Sequence, residues 1–222
     1  MIIKDFSNLS EFEKIFYADF WPEYFFVNGY PLLGVVWNLF LLAIPFFLFF
    51  LFRRYWEKYY SRRLGQKIIL FLIFIFWLLF LPNTAYLITD VRHLSDYCLE
   101  PNYYRVCPNN VWMLIFFFGY ALAGWAAFVL ALNQARYFIE KEYNRRAGLI
   151  FVSVIIPLVA LGVIIGLVNR WNSWEIFTDP MIILKSIALY FYEWIYLKNL
   201  LAYIVGFYAF YFVGDWLFKK RN

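Results

Sequence analysis

Residues 68–89 read IILFLIFIFWLLFLPNTAYLIT, and this stretch decides the class of protein. It holds 22 residues without a charged side chain, and a helix needs about 20 apolar residues to cross the hydrocarbon core of a bilayer. Pro82 has no N–H to donate, so the carbonyl of Leu78 loses its helical partner and a kink is predicted there. The stretch therefore predicts a transmembrane helix that is interrupted near its end.

Other hydrophobic runs repeat this signal along the chain. The predicted spans cover residues 30–52, 68–89, 111–132, 149–168 and 199–218. The 222 residues are 64% hydrophobic and 26% aromatic, whereas soluble domains are about 45–50% apolar. The sequence thus predicts one all-α integral membrane domain over residues 1–222, a bundle of about five transmembrane helices with interfacial helices on the outer side.

The charge distribution predicts an orientation. Thirteen of the 20 basic residues fall in linkers 53–67 and 133–148 and in the tail 219–221, which share one side if there are five spans. Because basic loops tend to stay in the cytoplasm, we predict a multi-pass protein of the bacterial cell membrane with its N-terminus outside and its C-terminus cytoplasmic. The N-terminal residues lack a cleavable signal-peptide pattern, so the first span is the expected targeting signal.

Two segments are predicted to lie along the outer surface. Residues 181–198 form an apolar run, but a full span there would send the basic tail outside. We therefore interpret this segment as an interfacial or re-entrant helix, with Lys185 and Glu193 at the headgroups. The N-terminal segment 1–29 is interpreted in the same way, because Ser10 and Glu13 form a capping-box pattern.

A stripe of polar residues follows Pro82. Asn83, Tyr86, Asp90, His93 and Tyr97 are spaced 3, 4, 3 and 4 residues apart, which places them on one face of a helix. Polar side chains at membrane depth face the bundle or a water-filled cavity. The stripe predicts an outward-facing polar pocket.

His93, the only histidine, is the candidate general base, and Asp90 is the candidate group that orients it. Alternatively, His93 and Asp90 cap the helix end and bind loop groups. A weaker alternative is a divalent metal held by Asp90, His93 and Asp96, with Glu175 as a distant ligand. No cofactor is expected.

A second polar segment, Arg170-Trp171-Asn172-Ser173-Trp174-Glu175, follows the fourth span. Arg170 is suited to holding a carboxylate or a phosphate, and Asn172 and Glu175 are further candidate substrate-binding residues. The alternative is an aromatic belt in which Arg170 pairs with Asp90 or Glu175.

Asn38 in the first span is predicted to lie at the depth of Asn83. Both are candidate substrate-binding residues together with Tyr86. The alternative is that the two asparagines hydrogen-bond to each other and hold the helices together.

The two cysteines, Cys98 and Cys107, both fall in one predicted outer loop. A pair outside the cytoplasm can form a disulfide that closes the loop. We favour this disulfide over two unpaired thiols.

The chain resembles a family of bacterial predicted membrane proteins, domain of unknown function 1361 (DUF1361). The resemblance rests on Trp37–Leu41 with Pro45 following, on Leu81–Leu94 and on Arg170–Glu175. Three departures are Ala85 in place of a second proline, Arg92 in place of an apolar residue, and Glu175 in place of aspartate. The resemblance implies a polytopic membrane fold and no established activity.

Three hypotheses about function follow. The first is a membrane enzyme acting on a lipid or lipid-linked substrate at the outer leaflet, with Arg170 holding an anionic headgroup. The second is a non-catalytic assembly or partner subunit, and the third is a small transporter component. Membrane lipids are the expected partners, and a membrane protein is a further candidate partner. The net charge of +5 is explained by orientation, and nucleic acid is not expected.

Overall fold

The computed structural model describes residues 26–27, 30–59, 64–92, 111–169 and 175–219. These residues are mainly helical. Two strands of two residues each, β1 (Phe26–Val27) and β2 (Tyr30–Pro31), pair in antiparallel orientation. The helices are α1 (Leu32–Tyr59), α2 (Leu64–Phe80), α3 (Pro82–Tyr86), α4 (Val111–Glu142), α5 (Arg145–Ile164), α6 (Glu175–Thr178), α7 (Pro180–Tyr192) and α8 (Trp194–Phe218). A 3₁₀ segment, Leu87–Arg92, continues α3, and a π-helical segment, Ile165–Asn169, continues α5.

Five helical stretches are long and apolar enough to cross a membrane. They are Leu33–Tyr59, Leu64–Arg92, Val111–Glu142, Arg145–Asn169 and Trp194–Phe218. This confirms the predicted all-α, multi-pass membrane fold. Helix α4 has 32 residues and is about 48 Å long, more than the roughly 30 Å of hydrocarbon it has to cross. It therefore continues past residue 132 and carries much of linker 133–148 as helix.

The structure divides segment 181–198 between two helices. Helix α7 has 13 residues and a length of about 20 Å, which is too short to cross the bilayer. Glu193 has extended backbone and separates α7 from α8, so residues 194–198 form the start of the last spanning helix. Of the predicted N-terminal interfacial segment, only Phe26 and Val27 are described.

Glycines allow the helices to approach each other closely. A Cβ added to Gly124 of α4 would lie 2.5 Å from Leu87 Cβ and 2.9 Å from the Thr84 carbonyl oxygen. A Cβ on Gly162 of α5 would lie 2.6 Å from Pro82 Cγ, and one on Gly214 of α8 would lie 2.5 Å from a Val129 methyl group. Small residues at such crossings are typical of membrane helices. These contacts fix α3, α4, α5 and α8 around one core.

Hydrogen bonds between distant residues show which helix ends meet. Trp56 near the end of α1 donates to Glu142 at the end of α4 (3.3 Å), and Arg136 of α4 donates to Asp215 near the end of α8 (2.9 Å). We call this the basic end, because the described parts of the basic linkers meet there. Asn38 near the start of α1 donates to Asp90 at 3.5 Å, and this contact marks the opposite end, the Asp90 end.

Candidate functional site

The predicted break at Pro82 is present, and nearby polar side chains bind carbonyls around it. Helix α2 ends at Phe80 and α3 begins at Pro82. Asn83 Nδ2 donates to the Phe80 carbonyl (3.1 Å), and Thr84 Oγ1 donates to the Leu81 carbonyl (2.7 Å). Broken helices are tolerated in membranes when side chains supply the missing backbone hydrogen bonds.

Asp90 lies at the end of this irregular stretch and is only 2% exposed. Asn38 Nδ2 donates to Asp90 Oδ2 across 3.5 Å, at the long limit of a hydrogen bond. Asn38 is six residues into α1, about 9 Å below the start of that helix. The carboxyl therefore lies inside the bundle and not in the connecting loop.

Tyr120 of α4 completes the group. Its ring is 6% exposed, and its hydroxyl lies beside Asn38 and Asp90 without a hydrogen bond of good geometry to any described residue. A buried hydroxyl without a partner costs about 1–3 kcal/mol. We call Asn38, Asp90 and Tyr120 the Asp90 cluster.

Tyr86 lies one turn before Asp90 and pairs with Arg92. Arg92 Nη2 donates to the Tyr86 hydroxyl (2.9 Å), and the guanidinium lies 5.7 Å from the centre of the Tyr86 ring. Arg92, at a position where the family resemblance favours an apolar residue, is thus half-buried against the Tyr86 ring.

Several predicted site residues lie outside the described part of the chain. They are His93, Asp96, Tyr97, Cys98, Cys107, Arg170 and Asn172, and the side chain of Glu175 is likewise not described. Among the residues that are described, no group of three His, Cys, Asp or Glu side chains could hold a metal ion. The disulfide, the metal alternative and the roles of His93 and Arg170 stay predictions.

Asn169, the residue before Arg170, makes a buried hydrogen bond. Asn169 is 6% exposed, and its Oδ1 accepts a hydrogen bond from the Tyr190 hydroxyl of α7 at 3.1 Å. Ser186, one turn before Tyr190, is fully buried, and its Oγ has no hydrogen-bond partner among the described residues. The π-helical turn before Arg170 is a form that is frequent at functional sites.

The packing brings Asp90 and Asn169, the residue before Arg170, toward the same end of the bundle. Gly162 contacts Pro82, and Asp90 and Asn169 follow those residues by eight and seven positions. Each chain therefore rises by about 10 Å from the shared contact. Asn169, the last described residue before Arg170, therefore lies toward the Asp90 end.

A second buried polar group, at the basic end, was missed by the sequence analysis. Arg136 of α4 is 8% exposed and donates to Glu140 Oε1 (2.8 Å), to Asp215 Oδ2 (2.9 Å) and to the Tyr211 hydroxyl (3.2 Å). Tyr211 in turn donates to Asn133 Oδ1 at 2.6 Å. We call Asn133, Arg136, Glu140, Tyr211 and Asp215 the Arg136 cluster.

The sequence does contain a signal for half of this cluster. Asn133, Arg136 and Glu140 are spaced three and four residues apart, which puts them on one helix face. The sequence analysis counted Arg136 among linker charges, since the apolar run ends at residue 132. Its partner Asp215 is 79 positions away, and no local pattern links the two.

The family model for proteins of unknown function (DUF1361) matches residues 37–218. The chain belongs to the DUF1361 family. The match includes every residue of the Asp90 and Arg136 clusters, and it confirms the resemblance found in the sequence. No curated protein and no solved structure matches this family member.

Proposed function

We propose that this DUF1361 protein is a membrane enzyme that acts on a lipid or lipid-linked substrate at the outer leaflet, and that the Asp90 cluster binds the polar part of that substrate. One observation carries the proposal: the buried Asp90 carboxyl lies beside the buried Tyr120 hydroxyl in membrane-spanning helices, and this hydroxyl makes no hydrogen bond of good geometry with a described residue. Intramembrane polar groups are costly and commonly mark functional sites. A substrate hydroxyl, amide or phosphate would supply the hydrogen bond that the Tyr120 hydroxyl lacks.

The surroundings of the cluster favour a lipid over a water-soluble substrate. Val36, Leu39 and Phe40 flank Asn38 on α1, and their side chains are 62%, 44% and 57% exposed. In a membrane, these apolar surfaces face the acyl chains. The helix that carries Asn38 is therefore in direct contact with lipid on its other faces.

The catalytic roles in this proposal come from the sequence. His93 is the general base, Asp90 orients it, and Arg170 holds an anionic headgroup, with Asn172 and Glu175 beside it. The position of Asn169, the residue before Arg170, toward the Asp90 end of the bundle supports this assignment. The proposal includes an outward-facing Asp90 end, a cytoplasmic basic end and a location in a bacterial cell membrane.

The alternative function is a non-catalytic assembly or partner subunit. The Arg136 cluster favours this alternative, because it shows that buried polar residues in this bundle can bind each other and hold helices together. A small transporter component is the third function, and no feature of the described residues favours it.

Asp90→Asn tests the proposal, because it removes the charge and keeps the shape and the hydrogen bond to Asn38. We expect this variant to fold with a stability within about 1 kcal/mol of wild type and to lose the activity. The activity is measured as the difference in the lipid profile, by mass spectrometry, between cells without the gene and cells complemented with it.

Thr89→Val is the matched control. Thr89 is next to Asp90, and its hydroxyl donates to the Tyr86 carbonyl of its own helix at 2.7 Å. It should complement fully. Full complementation by Asp90→Asn would contradict the catalytic proposal, and unfolding of Asp90→Asn alone would favour the packing alternative.

A further inference from the structure

A groove of about 500 Å³ opens on the surface at the basic end, between the last turns of α1 and Ile73 of α2. Along the chain, its lining lies at least 13 positions from Asn38 and 17 positions from Asp90, and the proposed enzyme activity does not use it. Its lining combines two apolar side chains (Leu51 and Ile73), two tyrosines (Tyr55 and Tyr59) and two cations (Arg54 and Lys58).

The two cations of the groove have no carboxylate partner among the described residues. The lining also includes Glu57, but Glu57 Oε1 accepts from Arg53 Nε at 3.0 Å. Arg54 and Lys58 contact aromatic faces instead, at 5.3 Å from the centre of the Phe50 ring and 5.0 Å from the centre of the Tyr59 ring. The groove therefore presents two positive charges that no described carboxylate neutralises.

The polar and apolar parts of the groove are ordered along α1. Leu51 is 37% exposed and lies toward the middle of the span, whereas Lys58 and Tyr59 lie at the helix end. The Tyr55 and Tyr59 rings are 4.7 Å apart, and tyrosines are enriched where hydrocarbon meets headgroups. The groove thus matches a molecule with an anionic head and an apolar tail.

We propose that this groove is a binding site for an anionic phospholipid. The lipid phosphate lies between the Arg54 guanidinium and the Lys58 ammonium, and an acyl chain lies against Leu51 and Ile73. A free phosphate ion would use the same two cations but would gain nothing from the apolar side chains. This site is independent of the Asp90 cluster, so either proposal can fail without the other.

The test is a lipid titration of the full-length protein in detergent micelles, followed by native mass spectrometry. Phosphatidylglycerol is the anionic probe, phosphatidylcholine is the zwitterionic probe, and inorganic phosphate is the competitor. We expect one phosphatidylglycerol to bind before any other lipid. Since each basic residue near a membrane surface strengthens anionic-lipid binding about fivefold, Arg54→Gln with Lys58→Gln should weaken the first binding event about 30-fold.

Three further variants make the result specific to the groove. Arg145→Gln with Arg146→Gln removes two exposed charges from the same end outside the groove lining, and it should bind phosphatidylglycerol within about twofold of wild type. The charge-conserving exchange Arg54→Lys with Lys58→Arg should also bind phosphatidylglycerol within about twofold of wild type. Ile73→Trp keeps both charges but fills the apolar part of the groove, and it should weaken binding as strongly as the Gln variant.

Several outcomes would overturn the site. Equal losses in the Arg145 and Arg146 variant would show general surface attraction, and an unaffected Ile73→Trp would show that the groove is not used. Equal binding of phosphatidylcholine would remove the charge selectivity. Displacement of the lipid by millimolar phosphate would assign the cations to a free anion.

Discussion

The Arg136 cluster and the Asp90 cluster lie near opposite ends of the same bundle, and both bury charged side chains in helices that cross the membrane. In the Arg136 cluster, one guanidinium makes three hydrogen bonds between 2.8 and 3.2 Å. In the Asp90 cluster, the contact from Asn38 is 3.5 Å long and the Tyr120 hydroxyl has no partner among the described residues. The polar groups of the first cluster bind one another, whereas the Tyr120 hydroxyl of the second makes no hydrogen bond of good geometry, and we propose that a substrate supplies it.

This difference separates two reasons for burying a charge in a membrane. The Arg136 cluster joins α4 to α8, and because buried polar groups need specific partners, it fixes the register of the two helices. In the Asp90 cluster, the Tyr120 hydroxyl has no hydrogen bond of good geometry among the described residues, so its burial remains costly. A buried charged side chain alone therefore does not identify a functional site. A buried polar atom that lacks a good hydrogen bond, such as the Tyr120 hydroxyl, does favour one.

The largest effect is expected from Arg136→Ala. It leaves Asp215 and Glu140 without their cation, and removing one partner of a buried pair typically costs 3–5 kcal/mol. The side chains of Glu140 and Asp215 keep 21% and 18% exposure, so water offsets part of the loss. We expect destabilisation by roughly 3 kcal/mol, measured by SDS unfolding in mixed micelles.

Arg145→Ala is the control for this variant, because Arg145 is exposed at the same end of the bundle. It should unfold like wild type. If Arg136→Ala also unfolds like wild type, the Arg136 cluster does not hold α4 to α8, and the structural half of the comparison is wrong.

A smaller effect is expected from Gly124→Ala, which tests how firmly α4 is held against the segment that carries Asp90. The new Cβ would meet Leu87 Cβ and the Thr84 carbonyl, and the backbone oxygen cannot move aside easily. We expect a loss of about 1–3 kcal/mol, together with loss of the activity proposed for Asp90.

Gly119→Ala in the same helix is the matched control. A Cβ at Gly119 has no atom within 4 Å, so this variant should be neutral or stabilised by up to about 1 kcal/mol, because alanine favours helix. Equal behaviour of the two variants would mean that the close crossing of α4 does not position Asp90.

The smallest effects come from two Tyr→Phe variants, each of which removes one buried hydroxyl. Tyr211→Phe takes away the donor to Asn133 and the acceptor for Arg136, and should cost about 1–2 kcal/mol. Tyr120→Phe removes a hydroxyl without a partner, so it should cost nothing or stabilise by up to about 1 kcal/mol. The two melting curves, recorded side by side, test the comparison directly.

These two variants also predict opposite effects on function. Tyr120→Phe should lower the proposed lipid activity at unchanged stability, and Tyr211→Phe should leave that activity intact at a temperature where the variant is folded. A destabilised Tyr120→Phe would show that its hydroxyl has a partner in the folded protein.

The interrupted helix shows which structural features the local sequence predicts and which it does not. Pro82 predicts the break by itself, because a missing N–H is a property of one residue. The spacing of Asn83, Tyr86 and Asp90 predicts a shared face, but the 3₁₀ segment after Tyr86 changes the helical period. Accordingly Asp90 is buried, Tyr86 is half-buried and pairs with Arg92, and Asn83 binds its own helix.

By itself, the sequence determined that this chain is a multi-pass, all-α membrane protein with about five spans and a break at Pro82. It could do so because bilayer thickness fixes the length of apolar run that a span needs. Only the tertiary structure decided that Arg136 pairs with Asp215 and that Tyr120 joins Asn38 and Asp90. The membrane-spanning parts of the described helices are apolar nearly all round, so their pattern does not reveal which face meets which neighbour. The partners of a buried polar group therefore follow from how the helices pack.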